Sequence, residues 1–185
     1  MRCQIAQYLH MDCVPADNFF ALLSRIQSPA LLVVAERWNR ARGQKLMPSW
    51  TDLSFFSPLP DPERTWAFAY DPKTGDFTGI LAGRRYGKWV GENFYGGHLK
   101  DITSPANYEE SQQLLTKVIT TPLAFRSSGS LFAVDSHVVT GERIALPLAE
   151  DGQTGDGILG ASDYAPPALL GSLKLIHENV EWYAI

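Results

Sequence analysis

Gly155-x-Gly157-x-x-Gly160 has the spacing of a dinucleotide-binding loop, whose glycines let backbone amides approach a pyrophosphate at a helix N-terminus. That chemistry needs a strand before the pattern and a helix after it. Here Ile158-Leu159 sits in a strand-like run ending near Pro166, so the glycines read as a hairpin turn. Cys3, His10, Asp12 and Cys13 offer zinc-type ligands in a short segment, but no Cys-x-x-Cys pair frames them, and no metal site is expected. Asp135, Ser136 and His137 have the residue types of a catalytic triad. Neighbours along a strand point to opposite faces, so three in a row cannot converge on one substrate. Gly-x-Ser-x-Gly is absent, and Ser127-Ser128-Gly129-Ser130 reads as a turn. With no catalytic constellation, the expectation is a protein that binds rather than an enzyme.

The strongest binding candidate is an aromatic and glycine segment. Tyr86, Trp89, Phe94, Tyr95 and His98 alternate with glycines at 87, 91, 96 and 97, which permit tight turns that bring ring faces together. Leu115, on a helix further along, is expected to face the same space. Two readings stand: a wall for a small organic ligand, or a set of rings filling the core beneath short helices.

Several elements must position these residues. A short helix carries Phe19, Phe20, Leu22, Leu23 and Ile26. Ser28-Pro29 then opens a longer one, with Ser as cap and Pro tolerated at the first helical position, and Gly43 closes it. Its apolar stripe, Leu31, Val34 and Trp38, is a candidate dimer interface. Thr65 to Asp71 and Phe77 to Gly83 flank a turn sequence and read as a hairpin. A helix over 107–120 follows, with Tyr108, Leu115, Val118 and Ile119 inward, and Pro122 marks its end. Runs over 121–127, 131–139, 143–148 and 157–164 read as strands. The chain divides into an N-terminal extension with a short helix (1–27), a main domain (28–164) and a C-terminal extension that packs back onto it (165–185).

Composition narrows the partners. The chain has 185 residues, 45% of them hydrophobic and 19% charged, enough for one well-cored domain. A net charge of -4 and the scatter of Lys and Arg argue against nucleic acid. Two cysteines, no signal-like apolar run and no apolar run long enough to span a bilayer lead to the expectation of a cytoplasmic protein.

Trp38, Ala41-Arg42-Gly43, Leu46-x-Pro48, Asp52-Leu53, Phe77 to Gly83, Gly91, Phe94, Leu99-x-Asp101 and Leu146-Pro147-Leu148 occur in an order that resembles a family of small single-domain PAS-like proteins common in alphaproteobacteria. The resemblance covers roughly residues 31–164. It implies an α+β fold: a five-stranded antiparallel sheet with helices on one face, a ligand cleft between them, and dimerisation through an N-terminal helix. It also disfavours haem, because the helix over 107–120 has no His, and flavin photochemistry, because neither Cys lies in the short-helix segment. The functional expectation is a sensory or regulatory module that binds a small ligand or protein partner and signals through a protein interface. A homodimeric interaction module with a filled core is the alternative, and a small enzyme the third.

Overall fold

The structure is a computed structural model and describes residues 18–54, 61–85, 87, 94–134, 137–164 and 173–185. Three helices come first: α1 (Phe19–Arg25), α2 (Pro29–Arg42) and α3 (Trp50–Ser54). The hairpin β1 (Thr65–Asp71) and β2 (Asp76–Ala82) follows, then α4 (Leu99–Ile102) and α5 (Pro105–Thr120). The chain continues through β3 (Leu123–Val134), β4 (His137–Leu148) and β5 (Gly157–Tyr164) to two short strands, β6 (Leu173–Leu175) and β7 (Glu181–Ala184). The sheet order is β2-β1-β5-β4-β3-β6, with β7 also on β3, and every pair is antiparallel. The fold is α+β.

Period-two alternation gives this sheet two buried faces. Ile144, Leu146 and Leu148 of β4, with Leu159 and Ala161 of β5, face one core. Ala145 of β4 and Ile158 of β5 face the other. Strands buried on both sides read as continuous apolar runs, and Ile-Ala-Leu-Pro-Leu and Gly-Ile-Leu-Gly-Ala do so.

Helices therefore cover both faces, where one covered face was expected. On the first lie α1 and α2, and the Leu31, Val34 and Trp38 stripe is spent there: all three side chains are 0% exposed within this single chain. Trp38 stacks on Phe19 at 5.0 Å between ring centroids, and its Nε1 donates to the Pro147 carbonyl at 2.8 Å. The stripe is thus packed against the sheet within the single chain. α2 is anchored at its start, where the Ser28 hydroxyl accepts from the Leu31 amide, and Gly43 ends it at φ +55°.

Arg126 and Glu142 are buried beneath this anchor. Glu142 accepts from Arg126 Nε at 2.7 Å and from the amides of Gln27 and Ser28, closing the turn between α1 and α2 onto the sheet. The C-terminal strands join the same structure: Tyr183 and Ile185 enter the first core, and the Asn18 amide donates to the Ala184 carbonyl. Residues set apart in the sequence as extensions thus widen the sheet from five strands to seven.

Two expected breaks move. Residues 127–130 lie inside β3, continuously paired with β4, and Gly129 stands opposite Gly141 at φ +100°. Gly157 and Gly160 likewise belong to β5 rather than to a turn. No helix of the described residues is long and apolar enough to cross a membrane.

Candidate functional site

α5 lies across the second face of the sheet. Residues 108, 111, 115 and 118 recur at three- and four-residue spacing on its sheet-facing stripe, so Ser111 is the polar member of an otherwise apolar set. Between this stripe and the sheet is a cavity of about 40 Å³. Trp66, Phe68, Leu99, Leu115, Val118 and Phe125 make its apolar walls. Ser111, Arg143 and His177 make its polar end, and Leu114 and Leu175 complete the lining.

A shared hydroxyl fixes two of these residues. Ser162 Oγ accepts from Trp66 Nε1 at 3.0 Å and from Arg143 Nε at 3.3 Å. Arg143 also donates from Nη2 to the Leu131 carbonyl at 3.4 Å. The Trp66 indole reaches this position because residue 160, its cross-strand partner, is glycine: an added Cβ there would collide with the ring.

His177 arrives from outside the five central strands, on the connection between β6 and β7. That connection is fastened to β3 on both sides of the imidazole. The Ile176 amide donates to the Leu131 carbonyl at 2.9 Å, and the Ser127 hydroxyl to the Glu178 carbonyl at 2.7 Å. The Ser130 amide donates to the Glu178 carboxylate, and Asn179 Nδ2 to the Ser128 carbonyl. Asn179 itself holds φ +46°, a backbone region Asn tolerates better than most residues.

Burial, reinforced by the charge of Arg143, pushes the His177 imidazole down to about 3, so it is neutral at physiological pH. Its Nε2 is 3.5 Å from Ser111 Oγ, the outer limit of a hydrogen bond, and its buried Nδ1 has no hydrogen-bond partner among the described residues. A serine beside a histidine invites comparison with a nucleophile and its base. An imidazole held so low accepts protons poorly, and among the described residues no carboxylate orients its far nitrogen. The arrangement is suited to hydrogen-bonding a guest rather than to abstracting a proton.

Leu114 and His177 also form the floor of an outer groove of about 330 Å³ that carries Glu110, Lys117 and Trp182. Lys117 Nζ sits 4.1 Å from the centroid of the Trp182 ring. Leu114 and His177 thus line both the cavity and the groove, and His177 belongs to the C-terminal connection.

The sequence candidates disperse around this cavity. Leu115 lines it. Phe94 is fully buried one layer away, 5.1 Å from the Phe68 ring and directly against Gly79. Tyr95 is 61% exposed and its hydroxyl donates to the Ala82 carbonyl. His98 stands before α4, half exposed, with Nδ1 2.7 Å from the Asp76 carboxylate. Neither Tyr95 nor His98 lines the cavity. Tyr86 and Trp89 lie outside the described residues, as do Cys3, His10, Asp12, Cys13, Asp135 and Ser136. Among the described residues no cluster of His, Cys, Asp and Glu could hold a metal ion.

Ser111, Arg143 and His177 were not among the sequence candidates. A signal existed for the first two: Ser111 interrupts an apolar stripe, and Arg143 shares a strand face with Ala145. His177 gave none, because its approach depends on how the last strands pair. No protein-family model matches the chain, and no curated protein or solved structure matches it either.

Proposed function

We propose that this protein is a PAS-like sensory or regulatory module that binds a small molecule in the cavity between α5 and the sheet. The observation that carries the reading is the cavity itself, apolar on most sides and ended by Ser111, Arg143 and His177. The central strand order β2-β1-β5-β4-β3, antiparallel throughout and crossed by α4 and α5 between β2 and β3, supports the PAS-like part of it.

A ligand signals only if it binds two conformations with different affinity. The element placed to have two positions is the connection 176–180, which supplies His177 to the cavity and is held to β3 mainly by polar bonds. Displacing it would alter β7 and, through Tyr183 and Glu181, the anchor of α1, where Arg25 meets the Glu181 carboxylate at 3.1 Å. The output surface is then the N-terminal helical layer. A dimer formed through Leu31, Val34 and Trp38 would require α2 to leave the sheet, so output through the outer side of that layer is the better fit to the packing.

The test compares the native and denatured masses of the purified full chain, for the wild type and for Leu115→Phe, whose added ring fills the cavity. A retained mass in the wild type that Leu115→Phe loses is the expected result. Identical native and denatured masses across independent preparations of the wild type would overturn the reading.

A further inference from the structure

We propose that the cavity and the outer groove form one site for a single-chain aliphatic amphiphile with an uncharged head, the tail seated in the cavity and the head in the groove. This inference rests on the cavity being a ligand site.

The cavity selects the tail. Its polar groups are engaged with the protein: Arg143 with Ser162 and the Leu131 carbonyl, Trp66 Nε1 with the same Ser162, and Ser111 with His177. A guest there meets mainly hydrocarbon and aromatic wall, from Phe68, Leu99, Leu115, Val118 and Phe125. Such a wall favours alkyl carbon and disfavours a polar group brought in without a partner. Size limits the enclosed part. A water needs at least about 10–15 Å³ of enclosed space, so a cavity of about 40 Å³ takes about three or four methylene-sized groups.

The groove, of about 330 Å³, receives the rest. Its apolar lining includes Leu114, Val180 and Trp182, and its polar lining Glu110, Gln113 and Lys117. Leu114 borders both spaces, is partly buried, and is held by packing alone. Turning it to another rotamer is the motion that joins cavity to groove.

Charge selects the head. Glu110 and Lys117 stand about two turns apart on α5 with opposite signs, and among the described residues neither forms an ion pair. Lys117 rests over the Trp182 ring instead. A carboxylate head would be opposed by Glu110 and an ammonium head by Lys117. A hydroxyl can donate to the one or accept from the other without that conflict.

The experiment titrates the full chain with 1-propanol, 1-butanol, 1-hexanol, sodium hexanoate and hexylammonium chloride, at constant ionic strength set with sodium chloride. NMR follows the indole N–H signals of Trp66, whose ring lines the cavity, and of Trp182, whose ring lines the groove. 1-Hexanol is expected to shift both saturably with one Kd. Affinity should rise about fourfold per methylene from 1-propanol to 1-hexanol, the effect of burying one CH2. Leu115→Phe, which fills the cavity, should abolish both shifts. Lys117→Gln leaves Glu110 alone in the groove and should improve hexylammonium relative to 1-hexanol by about two- to fivefold, the range of exposed ion pairs. Glu110→Gln should do the same for hexanoate. Both positions are exposed, so these two variants carry the test should Leu115→Phe not fold.

Hexanoate or hexylammonium binding the wild type as tightly as 1-hexanol would overturn the uncharged head, as would charge variants that leave the order of the three unchanged. Shifts confined to Trp66, with no gain from 1-propanol to 1-hexanol, would overturn the joined site and leave a small cavity ligand standing. Shifts of Trp182 that survive Leu115→Phe would overturn it too, because the amphiphile would then lie in the groove alone. No saturable response to any of the five, in a wild-type protein that does retain a native mass, would overturn the ligand class alone. The same silence without a retained mass would remove the cavity reading as well.

Discussion

The indole of Trp66 occupies the space that a side chain on residue 160 would need, so the pair Trp66 and Gly160 is one steric unit spanning β1 and β5. Gly160→Ala is expected to destabilise the fold by about 1–3 kcal/mol, the usual cost of overpacking. The same substitution in a Trp66→Leu background should cost less, because the smaller side chain yields. Urea unfolding of the four proteins measures the coupling, and equal costs in both backgrounds would contradict the relationship.

Trp38 is enclosed between Phe19 and the sheet. Trp38→Ala should lose about 3–5 kcal/mol of stability, as large aromatic truncations in cores do. Trp38→Phe keeps most of the packing and forfeits the bond to the Pro147 carbonyl, a loss of about 1 kcal/mol beyond the volume change. Light scattering belongs beside the melts. A Trp38→Ala protein that melts like the wild type but changes its assembly would return this residue to an interface.

Glu142 accepts two backbone amides and Arg126 Nε from a buried position. Glu142→Gln places an amide donor among donors and removes the charge that Arg126 faces. Breaking a buried pair from one side costs about 3–5 kcal/mol. Hydrogen exchange should quicken first in the turn between α1 and α2 and last in β4 and β5. Uniform quickening across the sheet would mean that the carboxylate does not serve that turn in particular.

His177 ties stability to pH. Folded, it sits at about 3; its ordinary value is 6.5. The unfolded chain therefore carries the extra proton between those values, and stability falls as pH drops through the window. The effect is absent above 6.5 and costs at most about 1.4 kcal/mol per unit below it. The groups around the ring are Arg143 on β4, Ser111, Glu110 and Lys117 on α5, and the ring of Trp182 on β7. Asp52, Asp163 and Glu181, also held below the ordinary carboxylate range, add the same sign only from 4.5 downward. Urea midpoints measured from pH 7 to 4.5 should slope for the wild type and flatten for His177→Gln. Parallel slopes would show that the imidazole is not held neutral.

The hairpin, α2 and α5 were legible because each carries a local cause: a turn sequence at 71–76, Ser-Pro at two helix starts, an apolar stripe at helical spacing. The division of β3 and β4 was not. Ser127-Ser128-Gly129-Ser130 has turn composition, yet Gly129 faces Gly141 and the C-terminal connection bonds the serines, so tertiary pairing overrides the local preference. The glycines of 155–160 misled for a similar reason. Gly155 and Gly160 admit Ile119 and Trp66, neighbours that are remote in sequence. Among the described residues, Leu115 is the sequence candidate that lines the site. Its polar end unites α5, β4 and a connection some sixty residues further along than the helix, and no window of sequence contains that meeting.

β6 and β7 are in effect one strand interrupted at 176–180, laid along the outer edge of β3. Unpaired edges of this kind recruit strands from other molecules. Releasing the last strand would therefore do two things in one motion: uncover the cavity and expose β3 to a neighbour's backbone. A guest that holds His177 in place would then act as a guard against self-association, and the rate at which the protein clumps on storage would report how full the cavity is.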